Sequence, residues 1–186
     1  GHLEHFHDPL LECQSCNARY RADDVNFEKA CPKCGDHAWG DVREFHMMFQ
    51  TQVGAASDQA HTAYLRPETA QSIFVNFKNI VSSSRVKIPF GIAQIGKAFR
   101  NEITPKQYLF RMREFEQMEL EWFCKEEEAQ HFFSFWRDQR RAFYSYLGIN
   151  DDNIRIREHD QDELAHYSTA TVDIEYHYPF GWKELE

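Results

Sequence analysis

Residues 99–123 read FRNEITPKQYLFRMREFEQMELEWF, with three arginines and five glutamates set among strand-forming residues. Residues 90–103 (FGIAQIGKAFRNEI) and 109–123 (LFRMREFEQMELEWF) each read as strand. TPKQY between them is a turn-rich loop, so the two runs predict a long antiparallel hairpin. Side chains of a strand alternate between faces. From Arg111 the odd positions are Arg111, Arg113, Phe115, Gln117 and Glu119. The even ones are Phe110, Met112, Glu114, Glu116, Met118, Leu120 and Trp122. The even face is the more apolar, yet it carries two glutamates, and the odd face gathers cations, an aromatic ring, an amide and a carboxylate. Arg100 and Glu102 share one face of the first strand.

A row of cations, an aromatic plate, an amide and a carboxylate suits a nucleoside triphosphate beside a small amine. Arginine binds phosphate bidentately, and a buried carboxylate selects an ammonium group. The competing reading is an exposed face laced with salt bridges, each worth about 0–1 kcal/mol. By pattern alone both readings stay open.

Outward from the hairpin, residues 66–81 (RPETAQSIFVNFKNIV) predict a helix with Pro67 in its first turn. Its apolar stripe is Ala70, Ile73, Phe74, Phe77, Ile80 and Val81. Residues 126–147 predict a second helix, opened by Glu126, Glu127 and Glu128 and stopped by Gly148. Its buried stripe is read as Ala129, Phe132, Phe133, Trp136, Phe143 and Leu147. Residues 43–53 begin with a strand, 54–63 form a polar loop, and 152–159 and 170–178 give two more strands. The order of elements gives α+β with an antiparallel sheet.

Cys13, Cys16, Cys31 and Cys34 form the pattern C-x2-C…C-x2-C, with Gly35 after the second pair. Paired knuckles of this kind predict a small ribbon over 13–40, closed by structural Zn2+ with four thiolates and no open position. Residues 1–12 lead into it. Thiolates held for metal fit a reducing, cytoplasmic compartment. Cys124 stands alone beside Trp122 and Phe123 and reads as a packed thiol. His2, His5 and His7 read as surface or packing residues. The formal net charge of −9 over 186 residues argues against DNA or any nucleic acid held by bulk charge alone. No apolar run approaches a membrane span. The chain opens on Gly, which suggests a piece of a longer protein.

FRNE, a short loop and FRMREFEQMELEWF resemble motif 2 of the class II aminoacyl-tRNA synthetases, in the glycyl form. GHLEHFHDPLLEC, REFHMMFQT, YLRPETAQSIFVNFK, IAQIGKAFRNEI, REHDQDELAHYS and TVDIEYHYPFGWKEL also resemble that family, in its order. The resemblance covers nearly the whole chain. It implies a class II antiparallel core over 41–186, with motif 2 over about 92–123, and ATP-dependent activation of glycine for transfer to tRNA(Gly). Arg100 is then expected on the α-phosphate and attacked carboxylate, and Asn101 and Glu102 at adenine. Phe115 would stack on the base, and Arg111 and Arg113 would reach phosphates. Phe110, Met112 and Glu114 complete the ATP segment.

Glu119 is expected on the glycine ammonium, with Glu116, Gln117 and Met118 beside it and Glu68 in the same pocket. Glu184 and Leu185 match a nucleotide- or Mg2+-side segment. A homodimer is expected of the full-length protein. Motif 1, motif 3 and an anticodon-binding domain are not among these residues. Two departures stand out. Only 14 residues separate Cys16 from Cys31, where the family carries a longer insert, and Ser72 replaces a usual Gly. The rival readings are a synthetase-like paralogue that does not charge tRNA and a zinc-ribbon binding module on an inert body.

Overall fold

The computed structural model describes Leu3 and residues 6–55 and 61–186. The chain divides into two compact units, Gly1–Trp122 and Phe123–Glu186, each described by itself.

In the first unit, β1 (His7–Glu12) lies between β2 (Arg19–Arg21) and β3 (Arg43–His46), antiparallel to both. Residues 7–12 are therefore the centre of a sheet. Leu10 and Leu11 are buried there. Glu12 stands opposite Arg19, accepts from its Nε at 2.7 Å and faces Arg43 at 3.4 Å. Next, β4 (Gln50–Val53) and β5 (His61–Tyr64) pair antiparallel. The last three residues of the polar loop expected over 54–63 are therefore strand, because His61, Thr62 and Ala63 already oppose Val53, Gln52 and Thr51.

The first helix, α1, spans Ala70–Ser84, with Thr69 at its N-cap. Pro67 and Glu68 lie ahead of it rather than inside its first turn. It runs past the expected end at Val81 through three serines, and stops at Arg85 in the left-handed region at φ 53°. Ile73 is its buried residue, and Phe77 stacks on Phe90 with centroids 5.8 Å apart. Phe74, expected in the stripe, is exposed.

β6 (Phe90–Phe99) and β7 (Glu114–Phe123) form the hairpin expected from the quoted stretch. The second strand starts at Glu114, so Phe110–Arg113 belong to the connecting loop. Arg100 N–H donates to Arg113 O at 3.0 Å and closes the pair. The more apolar set of positions is not the one that the strand buries. Phe115, Gln117, Glu119 and Glu121 are half-buried, whereas Glu114, Glu116, Met118 and Leu120 are exposed. On β6 the exposed partners are Gly91, Ala93, Ile95 and Lys97. The outer face carries the salt bridge Lys97–Glu114 at 2.6 Å, and the other face carries the polar row. The odd side wins burial because its polar groups find partners at the start of α1, described below.

The described strands form four separate ladders rather than one continuous sheet. Arg66 supplies part of the reason. Its carbonyl accepts from Phe99 N–H at 2.9 Å, and its Nε donates to Lys97 O at 2.6 Å. The edge of β6 that a third strand would use is thereby occupied.

In the second unit, a 3-10 turn (Glu126–Glu128) leads into α2 (Ala129–Tyr146). Phe132, Phe133 and Trp136 are half-buried, but Ala129, Phe143 and Leu147 of the expected stripe are exposed. Arg140 lies over the Phe143 ring at 4.5 Å, so a cation covers one face of this ring. β8 (Ile154–Glu158), β9 (Val172–Tyr178) and β10 (Gly181–Glu184) form an antiparallel sheet in the order β10-β9-β8. β10 was not expected from the sequence. Ile154 and Ile174 are buried, and Arg155 and Arg157 stand directly opposite Glu175 and Asp173. His166 and Tyr167 lie in the turns ahead of β9, not in the sheet.

Ile73 is 2% exposed and Val75, two residues on, is 78% exposed. Ile73→Ala is expected to lower the unfolding free energy by about 2–5 kcal/mol. Val75→Ala should stay within about 0.5 kcal/mol. Paired denaturant titrations check both.

Candidate functional site

The polar face of the hairpin has two chemically distinct ends. Arg100, Glu102 and the loop arginines make the first. The Arg100 guanidinium lies over the Phe115 ring at 5.3 Å and over Phe6 at 5.6 Å, and its Nε donates to Pro67 O at 3.2 Å. Asn101 N–H donates to Met47 O at 2.7 Å, which ties this segment to the residue after β3. Glu102 is buried, and its Oε2 makes no hydrogen bond among the described residues. Arg111 Nε faces that oxygen at 3.9 Å. Burial raises the Glu102 pKa, Arg111 opposes the rise, and Asp8 adds to it. Arg113 donates through Nε and Nη2 to Glu102 O at 3.2 and 3.1 Å, so it holds the main chain of its neighbour. Phe110 and Met112 are half-buried in the loop, and Glu114 turns to the outer face with Lys97.

The second end is acidic. Thr69, fully buried at the N-cap of α1, donates its N–H to Glu119 Oε2 at 2.7 Å and to Gln117 Oε1 at 3.3 Å. Its hydroxyl also donates to Glu119. A carboxylate at a helix N-terminus is stabilised by the free N–H groups and the macrodipole. Gln71 donates to Glu68 across the first turn. Glu121 is half-buried, and burial raises its pKa, with Glu119 and Glu68 adding to the rise. Three carboxylates thus share one neighbourhood at the start of α1, a charge surplus that favours a bound cation. Gln94, with its amide oriented to satisfy both ends, donates to Thr69 O at 3.2 Å and accepts from Arg66 Nη1 at 2.9 Å. Gly96 leaves room for that arginine, since a Cβ there would meet Arg66 Nη2 at 2.3 Å.

The four cysteines form a third cluster. Their sulfur atoms all lie within 4.8 Å of one another. Cys13 Sγ and Cys34 Sγ are 3.7 Å apart, and Cys16 Sγ and Cys31 Sγ are 3.8 Å apart. A tetrahedron with metal–sulfur bonds of about 2.3 Å has edges of about 3.8 Å, so the set fits such an ion. The same gaps are far beyond a disulfide bond. Asn17 N–H donates to Cys13 O at 2.8 Å and Gly35 N–H to Cys31 O at 2.9 Å, with φ of 57° and 81° at the two donors. The knuckles therefore share one backbone shape. Burial pushes the Cys31 thiol up, but the N–H groups of Cys34 and Lys33 and the Tyr20 hydroxyl bring it down to about 6.

The tRNA synthetase class II core domain model (G, H, P, S and T) matches residues 49–181. The chain belongs to the class II tRNA synthetase core family. Among curated relatives it is 48% identical over 212 residues to "Glycine--tRNA ligase" of Geobacillus kaustophilus, covering 100% of this chain and 46% of that protein. It is 52% identical over 213 residues to the protein of the same name from Clostridium tetani, again covering 100% and 46%. Against that of Treponema denticola it is 51% identical over 190 residues, covering 100% and 42%. The chain therefore spans just under half the length of these relatives.

In this class II core, the first unit brings together Glu68, Arg100, Asn101, Glu102, Arg111, Arg113, Phe115, Gln117 and Glu119. Glu116 and Met118, expected beside glycine, instead point to the exposed outer face. Glu184 ends β10 and Leu185 follows it in the second unit, where Leu185 N–H donates to Ile174 O at 2.8 Å. Asp173 in that unit accepts from Arg157 at 3.3 Å and lies 2.8 Å from His159 Nε2. Of the early histidines, His7 lies 3.6 Å from Glu44, and His2 and His5 fall outside the described residues. Glu121, Thr69, Gln94 and Arg66 were not foreseen as site residues. Glu121 could have been found by continuing the odd positions of β7 two residues beyond Glu119.

The raised pKa of Glu102 means that the folded state carries its charge at a cost near neutral pH. The sign is that of a group more easily protonated when folded. Its stabilising contribution is present below the ordinary carboxylate range and is lost as pH rises through the raised value. Glu102→Gln is expected to melt above the unaltered chain at pH 7. The gap should close as pH falls through the carboxylate range, which calorimetry at several pH values checks.

Proposed function

We propose that this chain is the central part of the catalytic domain of a glycine–tRNA ligase. The observation that carries the reading is the order of groups along one face: Arg100 over Phe115, then Gln117, Glu119 and Glu121. A cationic, aromatic end meets an acidic end, as an ATP α-phosphate next to an amino-acid ammonium requires. The names of the relatives point to the same substrate.

In this reading adenine lies on Phe115, and its amino group donates to the buried Glu102 Oε2, with Asn101 alongside. Arg111 and Arg113 meet the phosphates. The acidic end takes the glycine ammonium through Glu119, with Glu68 and Gln117. A pocket for glycine cannot grip a side chain, so it selects by charge and by lack of room for anything larger. A glycine carboxylate oxygen attacks the α-phosphorus, the bond to the bridging oxygen breaks, and pyrophosphate leaves. Arg100 stabilises the charge that builds on the α-phosphate, and the rest of the catalysis is positioning. A terminal ribose hydroxyl of tRNA(Gly) then attacks the carbonyl carbon, and AMP leaves. When bound with ATP, Mg2+ neutralises phosphate charge. Cys13, Cys16, Cys31 and Cys34 hold a structural Zn2+. The full-length protein is read as a cytoplasmic homodimer. No helix among the described residues is long and apolar enough to cross a membrane.

Glycine-dependent ATP–pyrophosphate exchange tests the proposal, with alanine and serine as controls. Exchange is expected with glycine alone, reduced about 10²–10³-fold by Arg100→Ala and lost in Glu119→Ala. Native mass spectrometry should find one zinc per chain. The absence of both pyrophosphate exchange and ATP binding by calorimetry would sink the reading.

A further inference from the structure

The loop between the two strands of the hairpin, residues 103–113, has few main-chain ties of its own. Lys106 and Arg111 bridge each other through two main-chain hydrogen bonds of 3.2 Å. Gln107 and Tyr108 at its tip are both in the left-handed region, with φ of 53° and 59°. Side chains of this kind adopt that region at a cost, so surrounding contacts must hold them there. Tyr108 and Leu109 are almost fully exposed and supply none.

The contacts come from the cysteine-bearing segment. Asp24 Oδ2 accepts from Lys106 Nζ at 2.6 Å and from Arg111 Nη1 at 3.2 Å. Thr104 Oγ1 donates to Arg19 O at 3.3 Å. Arg19 and Asp24 belong to β2 and to the 3-10 turn Ala22–Asp24, which lie between the second and third cysteines. Arg21, between them, reaches Asp8 at 3.2 Å and Asp23 at 3.7 Å. Arg111 then faces Glu102 at 3.9 Å. A continuous set of alternating charges thus runs from the ribbon to the buried carboxylate of the nucleotide site. One aspartate oxygen shared by two cations, beside a neutral tie at Thr104, is a more constraining arrangement than an isolated surface pair.

We propose that Asp24 is a positioning residue of the nucleotide site: it fixes Lys106 and Arg111, and the metal-closed ribbon acts through it to set the loop that meets the triphosphate. The proposal rests on the adenylation reading above. It assigns the ribbon a task beyond its own folding, because the two knuckles fix both ends of the segment that carries Asp24.

The test compares the zinc-loaded chain with Asp24→Asn, Lys106→Ala and Asp24→Glu by hydrogen–deuterium exchange, with calorimetric titration of ATP on each. Amide exchange across 104–111 is expected to rise about tenfold in Asp24→Asn, the change from losing one charge-assisted bond. Exchange in 90–99 and 114–123 should stay unchanged. Lys106→Ala, altered on the loop side, should reproduce the effect even if Asp24→Asn disturbs the ribbon, and Asp24→Glu should restore part of the protection. Chelation of the metal should loosen the same loop. ATP affinity should fall about tenfold in Asp24→Asn, and in pyrophosphate exchange the loss should appear in KM for ATP with kcat within about twofold. Unaltered loop exchange in both Asp24→Asn and Lys106→Ala overturns the proposal. So does faster loop exchange with unaltered ATP affinity. A chain that binds no ATP at all overturns the underlying reading, which the loop exchange of the unaltered chain separates from a failed clamp.

Discussion

The hydrogen bonds between Thr69 and Glu119 hold the first unit together. They join the start of α1 to the middle of β7 with a buried hydroxyl, a backbone N–H and one carboxylate oxygen. A carboxylate cannot be half-buried without donors, and a helix start cannot be buried without acceptors. Each solves the other's problem. Once they meet, Gln117 is drawn to the same N–H, Gln94 to the Thr69 carbonyl, and Arg66 to Gln94 and the edge of β6. The face of the hairpin that turns toward α1 is thereby chosen by polar pairing and not by hydrophobicity.

That constraint explains what was legible in the sequence. The hairpin, both helices and strands 152–159 and 170–178 follow from alternation, helical spacing and turn residues. The direction of the hairpin faces did not, because counting apolar residues favours the even positions, and Glu114, Glu116, Met118 and Leu120 among them are exposed. β7 begins later than its pattern suggests, since Phe110–Arg113 continue the alternation without a partner strand beside them. β1 was hidden by its central Pro9, and β10 by its brevity and the glycine that opens it. The odd positions of β7 named the row that the fold turns toward the start of α1, yet the reading stopped short of Glu121. Nothing in one-dimensional pattern reveals that Asp24 meets Lys106 and Arg111, which are 82 and 87 residues away.

The site carries visible conflicts between stability and chemistry. Glu102 sits buried with an oxygen that finds no hydrogen bond among the described residues, and Glu121 sits near two like charges. In a protein selected only for folding such groups are replaced or paired. Glu102 lies just after β6 and Glu121 near the end of β7, so the two strained carboxylates stand in different parts of the hairpin.

The position of the ribbon carries a last consequence. It begins and ends in β1 and β3, which are hydrogen-bonded neighbours, so Leu10 and Arg43 stand directly opposite each other. The insertion is a closed excursion whose two feet are fixed by the sheet. Past Asp24 the chain returns to Cys31 through turns outside the strands. Doubling such a stretch costs only about 0.6 kcal/mol of closure entropy. Length is therefore nearly free there, while β2 and the turn ending at Asp24 are held to a fixed distance from the hairpin. Drift in chain length can accumulate in one half of the excursion and leave the other half in register.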